Sequence, residues 1–451
     1  MQSKRIKIAM VAAVTALLAG VPTTAGASVA DTASTFHVDT TADTVDTSIG
    51  DGVCADGAGR CSLRAAVQEA NASDGDATIV LERRTYRLSI AGTGEDGGAT
   101  GDLDVTSSIV FPASGATIDA GGLDRAFDVH GDGRLELHRV KVRNGAVTNA
   151  SGGAVRSTGW LGITDSIIEH SEAIGTGASG GAVFNDAGWF SATATTFHSN
   201  DATRAGGAIE ANAGYTALHV VEMYDNTTGA VPGNGGAFHL TGAGTVDISD
   251  SRVYRNVASA EGGGVWNSAA GVMTVTDTAI YDNIAAGNAA DEGGGGVFND
   301  GGRLTLERVR IDDNQATGNA GSGGGILNNL GTLEISDSKV RRNTAPRAGG
   351  GIEANVGVTV IRNVVLDDNT TGAAPGNGGG FHVTGAGSVT VDASRVRGNF
   401  AANEGGGLWN SATGTMTVTD TVIKGNGSPA GPDVFNVGGV FTIDGMPVPP
   451  G

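Results

Sequence analysis

A glycine-rich motif repeats from residue 152 onward, and it constrains the fold more than any other feature. Two or three small residues precede one apolar residue, and the motif recurs every 26 to 32 residues. Strands that pair in parallel with the next repeat cannot be joined by hairpins, so the chain must wind once per repeat. The apolar residues of the motif are Val155, Val183, Ile209, Phe238, Val265, Val297, Ile326, Ile352, Phe381 and Leu408.

A column of asparagines keeps step with this motif, each placed three residues after an apolar residue. Between the two columns lie alternating segments such as Met273–Thr276, whose period of two is that of a half-buried strand. Stacked asparagines can hydrogen-bond along the axis as a structural ladder, and ligand binding is the alternative role. The column comprises Asn200, Asn226, Asn256, Asn283, Asn314, Asn343, Asn369, Asn399 and Asn426.

These patterns predict an all-β fold, a single-stranded right-handed parallel β-helix with a short N-terminal capping helix. The β-helix is expected over 78–445, after an N-terminal segment 28–77 and before a tail 446–451. Within the β-helix, a five-coil block 180–283 is duplicated at 323–426, and equivalent residues are 143 positions apart.

The first residues predict export. Lys4, Arg5 and Lys7 precede the apolar run 8–18, and Ala25-Gly26-Ala27 forms an A-x-A cleavage signature. The run is shorter than the roughly 20 residues needed to cross a bilayer. Residues 1–27 are therefore a predicted signal peptide, and the protein is expected to be secreted, extracellular or cell-surface associated, with no membrane span.

The charge balance restricts the partners. The chain has 48 acidic and 28 basic residues, a formal net charge of -20. This balance argues against nucleic acid and anionic lipid partners, and it disfavours unassisted binding of polyuronate sugars. Cys54 and Cys61 are the only cysteines, and in an exported protein they are expected to form a disulfide.

The segment before the first coils has its own features. Residues 62–71 form an amphipathic pattern with Ser62 as N-cap, as expected for a helix that covers the open end of a solenoid. The acidic loop before it could hold Ca²⁺ as a cofactor, with a solvated loop as the alternative. No other cofactor is indicated. The calcium candidates are Asp43, Asp46, Asp51 and Asp56.

Three blocks resemble a known family. CSLRAAVQEAN at 61–71, GDLDV at 101–105 and DRAFDV at 124–129 are similar to the CSLREA-domain family of secreted β-helix proteins. The later coils resemble the GGAI and FxxN repeats of polymorphic outer-membrane proteins, with 197–200 a literal FxxN. The resemblance implies a secreted, adhesin-like β-helix.

One outward-facing column suggests a site. The residue after each motif's apolar residue should point away from the core. A Glu-His-Trp series then occurs twice on adjacent coils, which could bind sugar hydroxyls and a pyranose face or perform acid–base chemistry. Simple stacking for stability is the alternative. The candidates are Glu210, His239, Trp266, Glu353, His382 and Trp409.

The sequence favours an adhesin-like binding solenoid whose ligand is an extracellular glycan or protein. The alternative is a polysaccharide lyase or glycoside hydrolase of pectin-lyase-like fold. No compact catalytic motif occurs in the chain, and the duplication favours binding because a catalytic centre is usually single. The sequence names neither catalytic residues nor an oligomeric state.

Overall fold

The computed structural model describes residues 33–73 and 75–451 and confirms an all-β parallel β-helix of about 13 coils. The predicted signal peptide lies outside the described residues. Each coil passes through sheets 1, 2 and 3, and nine coils also pass through the short sheet 4. Within the described ranges, no helix is long and apolar enough to cross a membrane.

Sheet 1 contains the strands that follow the glycine motif. The first residue of each of these strands, the motif's apolar residue from Val155 onward, points into the core. The 13 strands are β4 Leu103–Val105, β7 Phe127–Val129, β11 Val155–Ser157, β15 Val183–Asn185, β19 Ile209–Ala211, β23 Phe238–Leu240, β27 Val265–Asn267, β31 Val297–Asp300, β35 Ile326–Asn329, β39 Ile352–Asn355, β43 Phe381–Thr384, β46 Leu408–Asn410 and β49 Val434–Asn436.

Sheet 2 contains the longest strands, mostly of five residues. Their second and fourth residues are buried and the other three face outward, as the alternating sequence predicts. The 16 strands are β1 Ser34–His37, β2 Ala77–Val80, β5 Ser108–Phe111, β8 Arg134–His138, β12 Trp160–Thr164, β16 Trp189–Thr193, β20 Tyr215–His219, β24 Thr245–Ser249, β28 Val272–Thr276, β32 Arg303–Glu307, β36 Thr332–Ser336, β40 Val358–Arg362, β44 Ser388–Asp392, β47 Thr415–Thr419, β50 Val440–Ile443 and β51 Met446–Pro447.

Sheet 3 contains three-residue strands whose central residue is apolar and inward. The 13 strands are β3 Thr85–Arg87, β6 Thr117–Asp119, β9 Lys141–Arg143, β13 Ile167–Glu169, β17 Thr196–His198, β21 Glu222–Tyr224, β25 Arg252–Tyr254, β29 Ala279–Tyr281, β33 Arg310–Asp312, β37 Lys339–Arg341, β41 Val365–Asp367, β45 Arg395–Arg397 and β48 Val422–Lys424.

The strands of sheet 4 have only two or three residues, after which a turn returns the chain to sheet 1. The nine strands are β10 Ala146–Thr148, β14 Glu172–Ile174, β18 Asp201–Ala202, β22 Thr227–Thr228, β26 Val257–Ala258, β30 Ile284–Ala285, β34 Gln315–Ala316, β38 Thr344–Ala345 and β42 Thr370–Thr371.

The glycine motif forms the corner before sheet 1. Gly206 has φ +61°, and a Cβ there would collide with the carbonyl oxygen of Ile209. Only glycine adopts this conformation at no steric cost, so the motif marks the same corner in successive coils. The apolar residues after it stack into one core that runs the length of the solenoid.

The asparagine column forms a buried hydrogen-bonded ladder. The backbone N–H and the Nδ2 of Asn283 both donate to Oδ1 of Asn314, at 3.0 and 2.9 Å, and the same Nδ2 donates to the carbonyl of Val253 at 2.9 Å. This pattern repeats from Asn200 onward, and at the last step Asn426 donates to Oδ1 of Asp433 at 2.9 Å. Each ladder amide is therefore satisfied by the neighbouring coils.

The N-terminal end of the solenoid is covered by the predicted helix. The helix α1 runs from Leu63 to Ala72, and the N-cap Ser62 Oγ accepts from the backbone N–H of Ala65 at 3.0 Å. It packs against the first strands of sheets 1 and 2. The Cys54–Cys61 disulfide just before it is confirmed.

Both terminal segments join sheet 2. Strand Ser34–His37 precedes the helix and pairs in parallel with Ala77–Val80, so the sheet begins inside the predicted N-terminal segment. At the other end, Met446–Pro447 pairs antiparallel with Val440–Ile443. The backbone N–H of Val448 also donates to the carbonyl of Phe441 at 2.8 Å, and the last coil is thereby closed.

We expect Asn314→Ala to destabilise the protein by about 3 kcal/mol or more, because it leaves the buried backbone N–H of Asn283 without its acceptor and removes the donor to Asn343 Oδ1 and the Ile280 carbonyl. Urea unfolding followed by circular dichroism measures the loss. Asn319→Ala, in an exposed turn, is the control and should cost less than about 0.5 kcal/mol. Similar losses for the two variants would show that the ladder does not contribute as inferred.

Candidate functional site

The structure brings the first predicted Glu-His-Trp series together on the outer face of sheet 1. Glu210, His239 and Trp266 occupy the middle positions of three successive strands. His239 Nδ1 lies 2.8 Å from Glu210 Oε2, and the imidazole stacks on the Trp266 indole with ring centroids 4.2 Å apart. The imidazole therefore contacts the carboxylate and the indole of its two neighbouring coils.

The duplicated series has the same arrangement. His382 Nδ1 lies 2.8 Å from Glu353 Oε2, and the ring centroids of His382 and Trp409 are 4.1 Å apart. In each copy a threonine hydroxyl, from Thr241 or Thr384, donates to the other glutamate oxygen. The duplication thus preserved a complete side-chain arrangement and not only the core.

The side chains predicted to form a binding patch point away from the core but are largely buried. Glu210, His239 and Trp266 are only 1, 3 and 8% exposed. The turn between sheets 4 and 1 approaches this face: Arg204 Nη1 lies 3.9 Å from Glu210 Oε1, and Glu261 accepts from the Trp266 indole N–H at 2.9 Å. A ligand cannot reach the carboxylate or the imidazole in this arrangement.

The same face continues as a buried layer outside the main core. Trp266 packs with Phe298 and Leu327 in a cluster separate from the inward-facing residues. Glu353 and His382 are likewise buried, whereas Trp409 is partly exposed. The outer face of sheet 1 therefore acts here as a second packing layer.

The four calcium candidates do not converge. Asp43 pairs with the buried Arg64, with 2.7 Å between Oδ1 and Nε. The carboxylates of Asp46, Asp51 and Asp56 accept hydrogen bonds from backbone amides of their own loop. Asp56 also pairs with Arg60, so local hydrogen bonds and two ion pairs organise the loop around the helix.

The sequence reasoning missed a carboxylate cluster on the first coils of sheet 1. Arg125 Nη1 lies 2.9 Å from an oxygen of both Asp102 and Asp128. His130 Nε2 lies 2.8 Å from Asp104 Oδ1. The GDLDV and DRAFDV blocks supply these aspartates. The two blocks are about one coil apart in the sequence, and this spacing could have predicted that their aspartates lie side by side.

Burial perturbs the titration of this cluster. Burial raises the pKa of Asp102 to about 7, although the Arg125 charge acts in the opposite direction. Burial also raises the pKa of Asp104, opposed by hydrogen bonds from His130 and from the backbone of Gly98. The cluster can therefore hold a proton near neutral pH.

One group in the described part of the chain has ligand atoms close enough to hold a cation. Single ligand atoms of Asp96, Asp104 and His130 lie within 4.8 Å of one another. Asp104 is buried, His130 is half-buried and Asp96 is exposed. Both Asp104 oxygens already accept protein hydrogen bonds, from His130 and Gly98.

A row of aromatic rings lies on the outer face of sheet 2, with Trp189 exposed and its two neighbours in the row half-buried. Trp160, Trp189 and Tyr215, called the aromatic row below, begin three successive strands. Trp189 is 49% exposed, and its ring centroid lies 4.5 Å from that of Tyr215. The Arg134 guanidinium extends the row and lies 3.9 Å from the centroid of Trp160.

Glycines shape the surface around the aromatic row. The row lines a shallow depression of about 650 Å³ together with Gly133, Gly159 and Gly188. A Cβ on Gly159 or Gly188 would collide with the carbonyl of the preceding coil. Trp160 lies over Gly162, where a side chain would meet the indole. The row is consequently accessible along these coils, with the Trp189 and Tyr215 rings tilted by 44° to each other.

Glu261 gives the buried face of sheet 1 a pH dependence. Its Oε2 accepts from Trp266 Nε1 at 2.9 Å and from Asn234 Nδ2 at 3.1 Å. Burial raises the pKa of Glu261 to about 7, while the Trp266 hydrogen bond acts to lower it. The folded protein therefore disfavours the charged form.

Because the folded-state pKa is raised, the Glu261 contribution to stability is greatest below the reference pKa of 4.5. It should decrease as pH rises through about 7, by up to about 3 kcal/mol. Glu261→Gln should flatten this slope in urea unfolding curves between pH 4 and 8. Glu404→Gln makes the same carboxylate-to-amide substitution at the acceptor of Trp409. It measures what this substitution itself costs in stability. An unchanged slope in the Glu261 variant would contradict the assignment.

No protein-family model and no curated protein matches the chain. Among solved structures, the A-module of the mannuronan C-5 epimerase AlgE6 of Azotobacter vinelandii is similar, with a TM-score of 0.39 and 14% identity. The match covers 84% of this chain and 94% of that one. At this score and identity the similarity assigns no function.

Proposed function

We propose that the protein is an extracellular polysaccharide-binding β-helix whose docking surface is the aromatic row on sheet 2. The observation that carries the proposal is the exposure of Trp189 in a continuous row with Trp160 and Tyr215. An exposed aromatic surface of this kind on a soluble protein marks an interaction site.

The geometry of the aromatic row favours a sugar chain as the ligand. The apolar faces of pyranose rings pack on flat indole and phenol rings, and the polar rims of the sugars need hydrogen-bonding partners beside those rings. Ser191 faces outward on the strand of Trp189, and Glu136 does so on the strand that precedes the row. Tyr215 Oη donates to Asp247 Oδ2 at 2.8 Å. The apolar rings of the row and the polar side chains beside them are thus adjacent.

The sheet itself disfavours a peptide ligand that binds as an added strand. Trp160 and Trp189 belong to interior strands of sheet 2, whose backbone groups pair with the coils on both sides. Strand addition requires a free sheet edge. Recognition at this surface must therefore proceed through side chains, which suits a glycan.

An extracellular location supports the same proposal. The Cys54–Cys61 disulfide fits an oxidising compartment, and the sequence predicts export. The two largely buried Glu-His-Trp groups then serve as structural contacts between coils, rather than as the ligand-binding patches predicted from the sequence. A surface-bound, adhesin-like role would follow if the recognised glycan belongs to a neighbouring cell or matrix.

We expect the double substitution Trp189→Ala and Tyr215→Ala to weaken glycan binding at least about tenfold, because it removes two stacking platforms. Affinity electrophoresis in gels containing neutral glucans, mannans, xylans or galactans measures this change. The thermal midpoint should stay near that of the wild type.

Tyr254→Ala removes an outward ring from sheet 3 and is the matched control, expected to bind like the wild type. The proposal fails if the wild-type protein binds no member of the panel. It also fails if the control loses as much affinity as the double variant.

A second candidate function is polysaccharide modification at the carboxylate cluster. The favouring observation is the Asp104–His130 pair, which lies beside Asp102. The raised pKa of Asp102 lets the cluster hold a proton near neutral pH, as a proton donor requires. A neighbouring cavity of about 580 Å³ is lined in part by Asp124 and Arg125. In this role Asp104 would position His130, and the half-buried imidazole would exchange the proton.

Incubation of the protein with the same polysaccharides separates the two functions. If the second function holds, new reducing ends or altered sugar residues appear by nuclear magnetic resonance. His130→Ala should then reduce the rate at least about a hundredfold, the usual contribution of a positioned acid or base. Binding without any product supports the first function alone.

A further inference from the structure

The last coils of sheet 3 carry an exposed cationic patch on a strongly acidic protein. Arg395, Arg397 and Lys424, called the cationic patch below, lie on two adjacent strands, with Arg397 directly opposite Lys424. All three are exposed. With a net charge of -20 for the whole chain, such a local concentration of positive charge is unexpected from composition.

The cationic patch is only partly neutralised by neighbouring acids. Arg397 Nη2 lies 2.9 Å from Asp367 Oδ2, yet its side chain remains 57% exposed. Within residues 33–73 and 75–451, Arg395 and Lys424 have no carboxylate oxygen within 4.0 Å of their side-chain nitrogens. The three cations and Val422 line a small depression of about 210 Å³. Their donors are therefore available to a ligand.

The internal duplication shows that this face diverged while the core did not. The positions of Asp367, Arg397 and Lys424 are occupied in the first copy by tyrosines, whose rings stack 5.0 and 4.9 Å apart. The inward neighbours are apolar in both copies. They are Met223, Val253 and Ile280 in the first copy, and Leu366, Val396 and Ile423 in the second.

A change confined to outward positions does not serve core packing. The tyrosine stack contributes cross-strand contacts, whereas Arg397 and Lys424 place two like charges opposite each other, which is unfavourable in a sheet. The second copy therefore has a repulsive pair where the first copy has a stabilising stack. An anionic ligand that bridges the two cations would offset this repulsion.

We propose that the cationic patch binds a polysaccharide that carries one carboxylate per sugar residue. A guanidinium pairs with a carboxylate through two parallel hydrogen bonds, and the ammonium of Lys424 adds a third donor group. Adjacent coils place Arg397 and Lys424 about 4.8 Å apart, so both can contact a single chain. The depression is shallow enough for a chain to lie across it.

The acidic residues around the cationic patch disfavour ligands of high negative charge density. Asp367 and Asp368 line the depression next to the patch. Densely charged polymers such as polysulfates and nucleic acids would approach these carboxylates and the acidic remainder of the molecule. A chain with one carboxylate per sugar meets less of this repulsion than a polysulfate with two or more charges per sugar.

The inference is independent of the proposed role of the aromatic row. The aromatic row lies in coils that precede the second copy, on another sheet, and needs no charge on its ligand. Each site can therefore be disabled alone, and the two proposals can fail separately.

The test is binding of polygalacturonate to the full mature chain by isothermal titration calorimetry at low salt. Arg395→Glu combined with Lys424→Glu should weaken binding at least about tenfold, since both contacts become repulsive. Arg252→Glu combined with Arg303→Glu makes the same change of net charge at exposed positions elsewhere and should stay within about twofold of the wild type. Circular dichroism checks that both variants fold.

Three results would overturn the inference. In the first, the wild type does not bind polygalacturonate. In the second, the two charge-reversal pairs weaken its binding equally. In the third, the wild type binds dextran sulfate or single-stranded DNA more tightly than polygalacturonate. The Trp189→Ala and Tyr215→Ala variant should keep its affinity for polygalacturonate. Loss of that affinity would instead place both ligands at the aromatic row.

Discussion

Hydrogen bonding between successive coils is the constraint on which the rest of the structure depends. Backbone groups pair in parallel along three long sheets. A buried asparagine in most coils donates from its backbone N–H and Nδ2 to the next coil and accepts through Oδ1 from the preceding coil. A buried amide without partners is costly, so each coil must present its neighbours with the same register. This requirement preserves the inward columns.

The same requirement leaves the outward positions free to differ. Along sheet 1 they form a buried layer that includes His239 and Trp266, along sheet 2 an aromatic platform, and along sheet 3 first stacked tyrosines and then the cationic patch. One scaffold thus carries chemically distinct surfaces on different faces. The function of such a protein therefore depends on the outward residues, which differ from one face and one coil to another.

The sequence was sufficient for the features that local patterns determine. The glycine corner, the alternating strands, the helix after Ser62 and the disulfide all follow from local patterns with a direct physical cause. Exposure was harder to predict, because the burial of Glu210 and His239 depends on how the turns that carry Arg204 and Glu261 pack against them. The Asp102 cluster was missed for a related reason, since its charges meet only after two coils are stacked.

The two ends of the solenoid are closed by elements unlike the coils between them, a helix at one end and an antiparallel strand with Pro447 at the other. Neither closure contacts the middle of the stack. The number of coils is therefore a free variable for this architecture: whole turns can be gained or lost without rebuilding an end. A five-coil duplication is what such freedom permits, and it supplies a second set of outward positions on which new chemistry can arise while the original set is kept.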